Sequence, residues 1–92
     1  MNRDKKFVID SIKMDLYRVV TATGDISKDI PYDSVKTFLD HADKDFDKIE
    51  LVKHEKDLRI KLKQLTKRIH ELQTDKDRLR WAEDVLTVRS ML

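Results

Sequence analysis

The sequence predicts an all-α fold: a helical hairpin plus a long coiled-coil-like helix, a three-helix bundle per chain completed by homodimerisation. Three observations lead there. Leu58, Leu62, Leu65, Ile69 and Leu72 recur at steps of four, three, four and three, which keeps one apolar seam turned towards a partner helix. Charged residues make up 41% of the chain, with one Gly and one Pro, so the turn chemistry that strands need is missing. Two shorter apolar stripes with helical spacing precede the seam.

The first helix is expected over about residues 4–23. Ile9, Ile12, Leu16, Val19 and Val20 form one face at i, i+3, i+4 spacing. Phe7, Met14 and Tyr17 lie roughly opposite, a second apolar face that is either covered or left as an exposed edge. Gly24, the only glycine, stands where the helix should stop and suits a left-handed C-terminal cap. A polar connector follows, and Pro31 fits the first turn of a second helix, with Asp33 or Ser34 as alternative N-caps. Val35, Phe38, Leu39, Ala42, Phe46 and Ile49 stripe that helix over about residues 32–50. The short connector makes the first two helices an antiparallel hairpin.

No breaker separates Glu50 from the seam, so one continuous helix from about residue 32 to 90 is the alternative. Phase argues for a turn near 50–56 instead. At ~100° per residue the Val35–Ile49 and Leu58–Leu72 stripes lie about 150° apart, and a single rod would bury opposite faces at its two ends. Glu55 with Arg59 and Asp57 with Lys61 are expected i, i+4 ion pairs. The third helix is expected over about 53–91, with a possible break near 74. There the seam position falls on Lys76, and Thr74 with Asp77 resembles a weak capping arrangement. Beyond it Leu79, Ala82 and Leu86 stand beside Trp81, Val85 and Val88, an apolar surface too wide for a two-stranded coil.

A hairpin of two helices of about twenty residues cannot cover a seam-bearing element nearly twice that length. A second copy of the chain is the economical cover. The expected oligomer interface is therefore Leu58, Leu62, Leu65, Ile69 and Leu72, with Trp81, Val85 and Leu86 anchoring the C-terminal end. A single helical domain over residues 1–92 is the expected organisation.

Chemistry-bearing patterns are sparse. One glycine leaves no phosphate-binding loop, and the absence of cysteine removes thiolate metal sites and disulfides. That absence fits a reducing compartment, and a cytoplasmic setting is expected. His41, His54 and His70 form no i, i+4 pair, and His70-Glu71 lacks the second histidine of a zinc-protease helix because position 74 is Thr74. Asp43, Asp45 and Asp47 copy the start of a calcium loop, but Lys48 replaces its turn glycine and His54 its bidentate glutamate. Asp40 and Asp43 share a face without the Glu-x-x-His repeats of carboxylate di-metal bundles. His41 is the candidate for helical phosphotransfer, with no motif around it. No catalytic residue, cofactor site or metal site is therefore expected.

Net charge is +2, but residues 25–50 hold eight Asp/Glu against four Lys, and residues 53–80 ten Lys/Arg against five Asp/Glu. The basic run Lys61, Lys63, Lys67, Arg68, Arg78 and Arg80 admits a nucleic-acid-associated accessory role as the alternative function. Glu71, Asp75 and Asp77 interrupt it, Asp57 precedes it, and Trp81 is its only nearby aromatic, so nucleic acid is disfavoured. No apolar run approaches the ~20 residues of a membrane span. The function expected is a non-catalytic protein-interaction or oligomerisation module, pairing with itself or with a protein partner.

Overall fold

Each helical segment carries one apolar stripe that it cannot bury alone, and the segments close around a shared core. The computed structural model describes residues 2–92, with side chains from Asp4 onward. Among these residues there are four α-helices and no strand: α1 (Asn2–Gly24), α2 (Tyr32–Phe46), α3 (Lys53–Lys67) and α4 (Asp75–Met91), with a 3-10 turn at Ile69–Glu71. Helix α1 packs against α2 and α4, and α3 packs against the same two. Partners pair in opposite chain directions: Ser11 with Asp45 and Asp15 with His41 across α1/α2, and Arg78 with Thr23 and Arg89 with Lys13 across α1/α4. The result is an up-down-up-down bundle measuring 42 × 20 × 18 Å.

The hairpin of α1 and α2 follows the sequence reading. Ile12, Leu16 and Val19 meet Val35, Leu39, Ala42 and Phe46 in the core. Pro31 sits at the N-cap of α2, one position ahead of the expected first turn, and its carbonyl accepts from the Val35 amide at 3.0 Å. Neither Asp33 nor Ser34 caps the helix. Gly24 does not take the left-handed conformation expected of it, since no glycine has positive φ. Another residue supplies that end's hydrogen bonds, as described below.

The long third helix is corrected. The chain leaves α2 at Phe46 and resumes at Lys53, so the continuous helix from about 32 to 90 does not form, and the turn lies a few residues before the expected 50–56. A second break falls close to the anticipated residue 74. The Thr74 hydroxyl accepts from the Asp77 amide at 3.1 Å and opens α4. Residues 53–91 are thus two antiparallel helices joined by a tight turn, and the chain carries four helices instead of three.

That second hairpin changes what covers the seam. Leu58, Leu62, Leu65 and Ile69 are buried in the chain's own core with Trp81, Val85 and Val88, and Leu72 packs against the cluster. An unbroken helix over 53–91 would leave seam for a second copy to cover, and folding that segment in half removes the excess. The indole Nε1 of Trp81 donates to the Leu65 carbonyl at 2.8 Å, tying α4 to the end of α3 where the 3-10 turn frees carbonyls.

Neither expected i, i+4 pair of α3 forms: Asp57 pairs with Lys53 at 3.3 Å in place of Lys61, and Glu55 and Arg59 take longer-range partners. Glu55 accepts from Lys5 Nζ at 2.8 Å and from the Val52 amide at 3.0 Å, the second bond being half of a capping box, since valine offers no return acceptor. Arg59 bonds Asp43 at 3.0 Å and Asp47 at 2.9 Å and lies over the Phe46 ring. These contacts hold the Arg59 guanidinium above its ordinary pKa. They clamp α3 onto α2.

Candidate functional site

Two places in the bundle hold more than packing requires. The first is polar, at the middle of the α1/α2 hairpin. Pairs across it share one register: 11 with 45, 15 with 41 and 18 with 38 each centre on residue 28, inside the connector. Asp15 therefore faces His41, and Asp45 joins them because positions 41 and 45 are one turn apart on α2.

His41 Nδ1 hydrogen-bonds Asp15 Oδ2, and Asp45 Oδ2 lies 3.7 Å from the same nitrogen. The other oxygens are held from outside. Arg18 donates to Asp15 Oδ1 at 3.2 Å, and Lys48 Nζ lies 2.8 Å from Asp45 Oδ1. Ser11 Oγ also donates to Asp45 Oδ2 at 3.0 Å. The two carboxylate side chains are only 5% and 3% exposed, while the imidazole is 56% exposed. The hydrogen bond to Asp15, with the charges of Asp15 and Asp45, raises the His41 pKa. Burial alone would raise the Asp45 carboxyl, but bonds from Lys48 and Ser11 outweigh it and hold the group low. Because Ser11 bonds the carboxylate and not the imidazole, the group lacks the nucleophile–base contact of a hydrolase.

The second place is apolar. On α1, Phe7 is 76%, Met14 49% and Tyr17 54% exposed, so the opposite face of that helix is an exposed edge. On α4, Leu79 is 44% and Leu86 42% exposed. At ~100° per residue Tyr17 sits on the α4 flank of the α1 outer face, and Leu79 and Leu86 on the α1 flank of α4. Arg89 joins the two, donating to the Lys13 carbonyl at 3.0 Å and covering the Tyr17 ring at 5.7 Å. Comparison with known proteins adds nothing to these two places: no family model, no curated protein and no solved structure matches the chain.

The eight side chains expected at an oligomer interface are divided by the fold. Leu58, Leu62, Leu65, Ile69, Trp81 and Val85 are 5% exposed or less, and Leu72 is half-buried beside them. Leu86 alone stands well out in solvent. The basic run is divided too. Arg78 is buried, donating from Nε to the Thr23 carbonyl at 3.3 Å, from NH1 to Lys28 at 2.8 Å and from NH2 to Asp25 at 2.9 Å. It thereby closes the end of α1 and the connector, the task expected of Gly24. Lys63 lies 4.0 Å from Asp43. Lys61, Lys67, Arg68 and Arg80 remain exposed.

The other histidines have local roles. His54 Nε2 lies 2.8 Å from the Met91 carbonyl at the end of α4, and His70 stacks on Tyr32. The calcium-loop resemblance at 43–47 ends in a helix: Phe46 and Asp45 are buried, and Asp43 and Asp47 bind Arg59. No described helix is long and apolar enough to cross a membrane.

Proposed function

We propose that the chain is a non-catalytic helical interaction module that pairs with a second copy of itself through the outer face of α1 and the adjoining edge of α4. The observation that carries this reading is the exposure of five large apolar side chains, Phe7, Met14, Tyr17, Leu79 and Leu86, on two neighbouring helices. Large apolar side chains left in water on two adjoining helices are an argument for a partner that covers them.

Charge argues for a second copy as that partner. The α1 face carries both signs, with Lys6 against Asp10 and Arg18 further along, so it presents no single-sign field to an acidic or basic partner. Asp10 and Arg18 are equidistant from Met14. A twofold axis at Met14 with antiparallel α1 helices sets each Asp10 level with an Arg18 of the other copy, the self-complementarity that an isologous contact requires. The half-exposed Arg18 guanidinium also bonds Asp15 of its own chain. The seam leucines belong to the core in this reading, and the interface moves to the opposite side of the molecule. The nucleic-acid alternative is weaker, because Arg59 and Arg78 are engaged within the chain.

Sedimentation tests it. The wild type should sediment as a dimer, and Phe7→Glu with Met14→Glu should return it to monomer with unchanged helicity, since both side chains are exposed. A wild type that stays monomeric across its soluble range overturns the self-pairing.

A further inference from the structure

The geometry points to a binding site for one divalent first-row metal ion at Asp15, His41 and Asp45, between α1 and α2. Three donor atoms, one from each residue, lie within 4.8 Å of one another. The set differs from an acidic surface patch in two ways. One donor is an imidazole nitrogen, and both carboxylates are buried on facing helices, with residue exposures of 4% and 2%. The exposed acids elsewhere on α2, such as Asp40, share neither feature.

The supporting contacts are those a metal centre uses. Arg18 and Lys48 each hold the Oδ1 atom of one carboxylate, which fixes both carboxylate planes and turns both Oδ2 atoms towards His41 Nδ1. Ligand orientation by outer hydrogen bonds is what tunes protein metal sites. A tetrahedral ion with bonds of ~2.0–2.2 Å needs donors roughly 3.4 Å apart, and the His41 Nδ1 to Asp45 Oδ2 separation is 3.7 Å. The Asp15–His41 pair stands closer, in a hydrogen bond whose proton the ion replaces and releases to solvent. The half-exposed imidazole marks the open side, where water completes the coordination. A mixed nitrogen and oxygen set selects Zn²⁺ and its first-row neighbours over Mg²⁺ or Ca²⁺, which prefer oxygen alone.

The test is titration of the full chain with Zn²⁺ by calorimetry at pH 8, together with the visible spectrum of the Co²⁺-loaded protein. One ion per chain is expected. His41→Ala, a change at a half-exposed position, should weaken binding by about tenfold or more while leaving the helical circular dichroism intact. Asp15→Asn should do the same, and His54→Ala and His70→Ala should bind as the wild type does. Absence of Zn²⁺ binding, or binding that His41→Ala leaves unchanged, overturns the site. Neither outcome depends on oligomeric state, so the assignment stands or falls separately from self-pairing.

Discussion

Replacing Arg78 tests how the bundle closes its first turn. Arg78 is 9% exposed, and its guanidinium donates to three backbone carbonyls, those of Thr23, Asp25 and Lys28. A hydrogen bond from a charged group contributes ~1.5–3 kcal/mol when neither partner can return to water. The three differ in that respect. Thr23 is fully buried, whereas Asp25 is half-buried and Lys28 exposed, so the last two carbonyls can find water once released. Arg78→Met keeps much of the aliphatic volume and removes all three bonds, and the loss should come to about 2–4 kcal/mol. In a domain of this size that lowers Tm by ~8–30 °C. Arg78→Lys should recover little, since an ammonium lacks the planar fork that reaches three carbonyls at once. Urea titration followed by circular dichroism gives the number. A loss below about 0.5 kcal/mol for Arg78→Met, or full rescue by lysine, refutes the reasoning.

Other expectations follow from the same contacts. Trp81→Phe removes the indole bond to Leu65 and part of a fully buried ring; the Leu65 carbonyl keeps the Arg68 amide, so unfolding should show a loss of about 1–3 kcal/mol. Leu62→Ala opens the core between α2 and α3 and should cost about 2–5 kcal/mol by the same measurement. Glu55 supplies a pH dependence. Burial opposes its charge, but bonds from Lys5 and the Val52 amide hold the folded pKa below the ordinary value of 4.5. Its contribution is present above that value and is lost as pH falls through the lower, folded one. Glu55→Gln should therefore destabilise at pH 6, and its difference from the wild type should shrink as pH falls below 4.5; a difference that stays constant on acidification would contradict it.

Much of the helical content was legible because it rests on local rules. The Pro31 start, the phase offset near residue 50 and the capping pair at Thr74 and Asp77 each mark an element or a break. The leucine spacing marks α3 as far as Leu65, with Ile69 and Leu72 falling beyond its end. What spacing alone could not settle was which helix covers the seam. Once Lys76 is read as a break and not a stutter, α4 folds back, and Trp81 and Val88 become the cover that a second copy was expected to provide.

The Asp15–His41–Asp45 group shows a different limit. His41 and Asp45 are one turn apart and visible in the sequence, but Asp15 joins them only through the hairpin register. Centring the hairpin on residue 28 would have found it, since the apolar stripes of α1 and α2 then face each other and the two polar positions coincide. Arg78 gave no such signal. An arginine inside a charged run reads as solvent-facing, and its burial follows from carbonyls that only the folded α1 end presents.

Leu65→Asp, followed by circular dichroism and sedimentation together, tests the claim that the leucine seam is the chain's own core. Leu65 is 2% exposed between α3 and α4, and an unpaired carboxylate there costs more than a small domain's whole stability. The account predicts loss of helicity, with no folded species left. A variant that keeps its helicity and only falls from dimer to monomer would contradict it, because the seam would then lie between two chains.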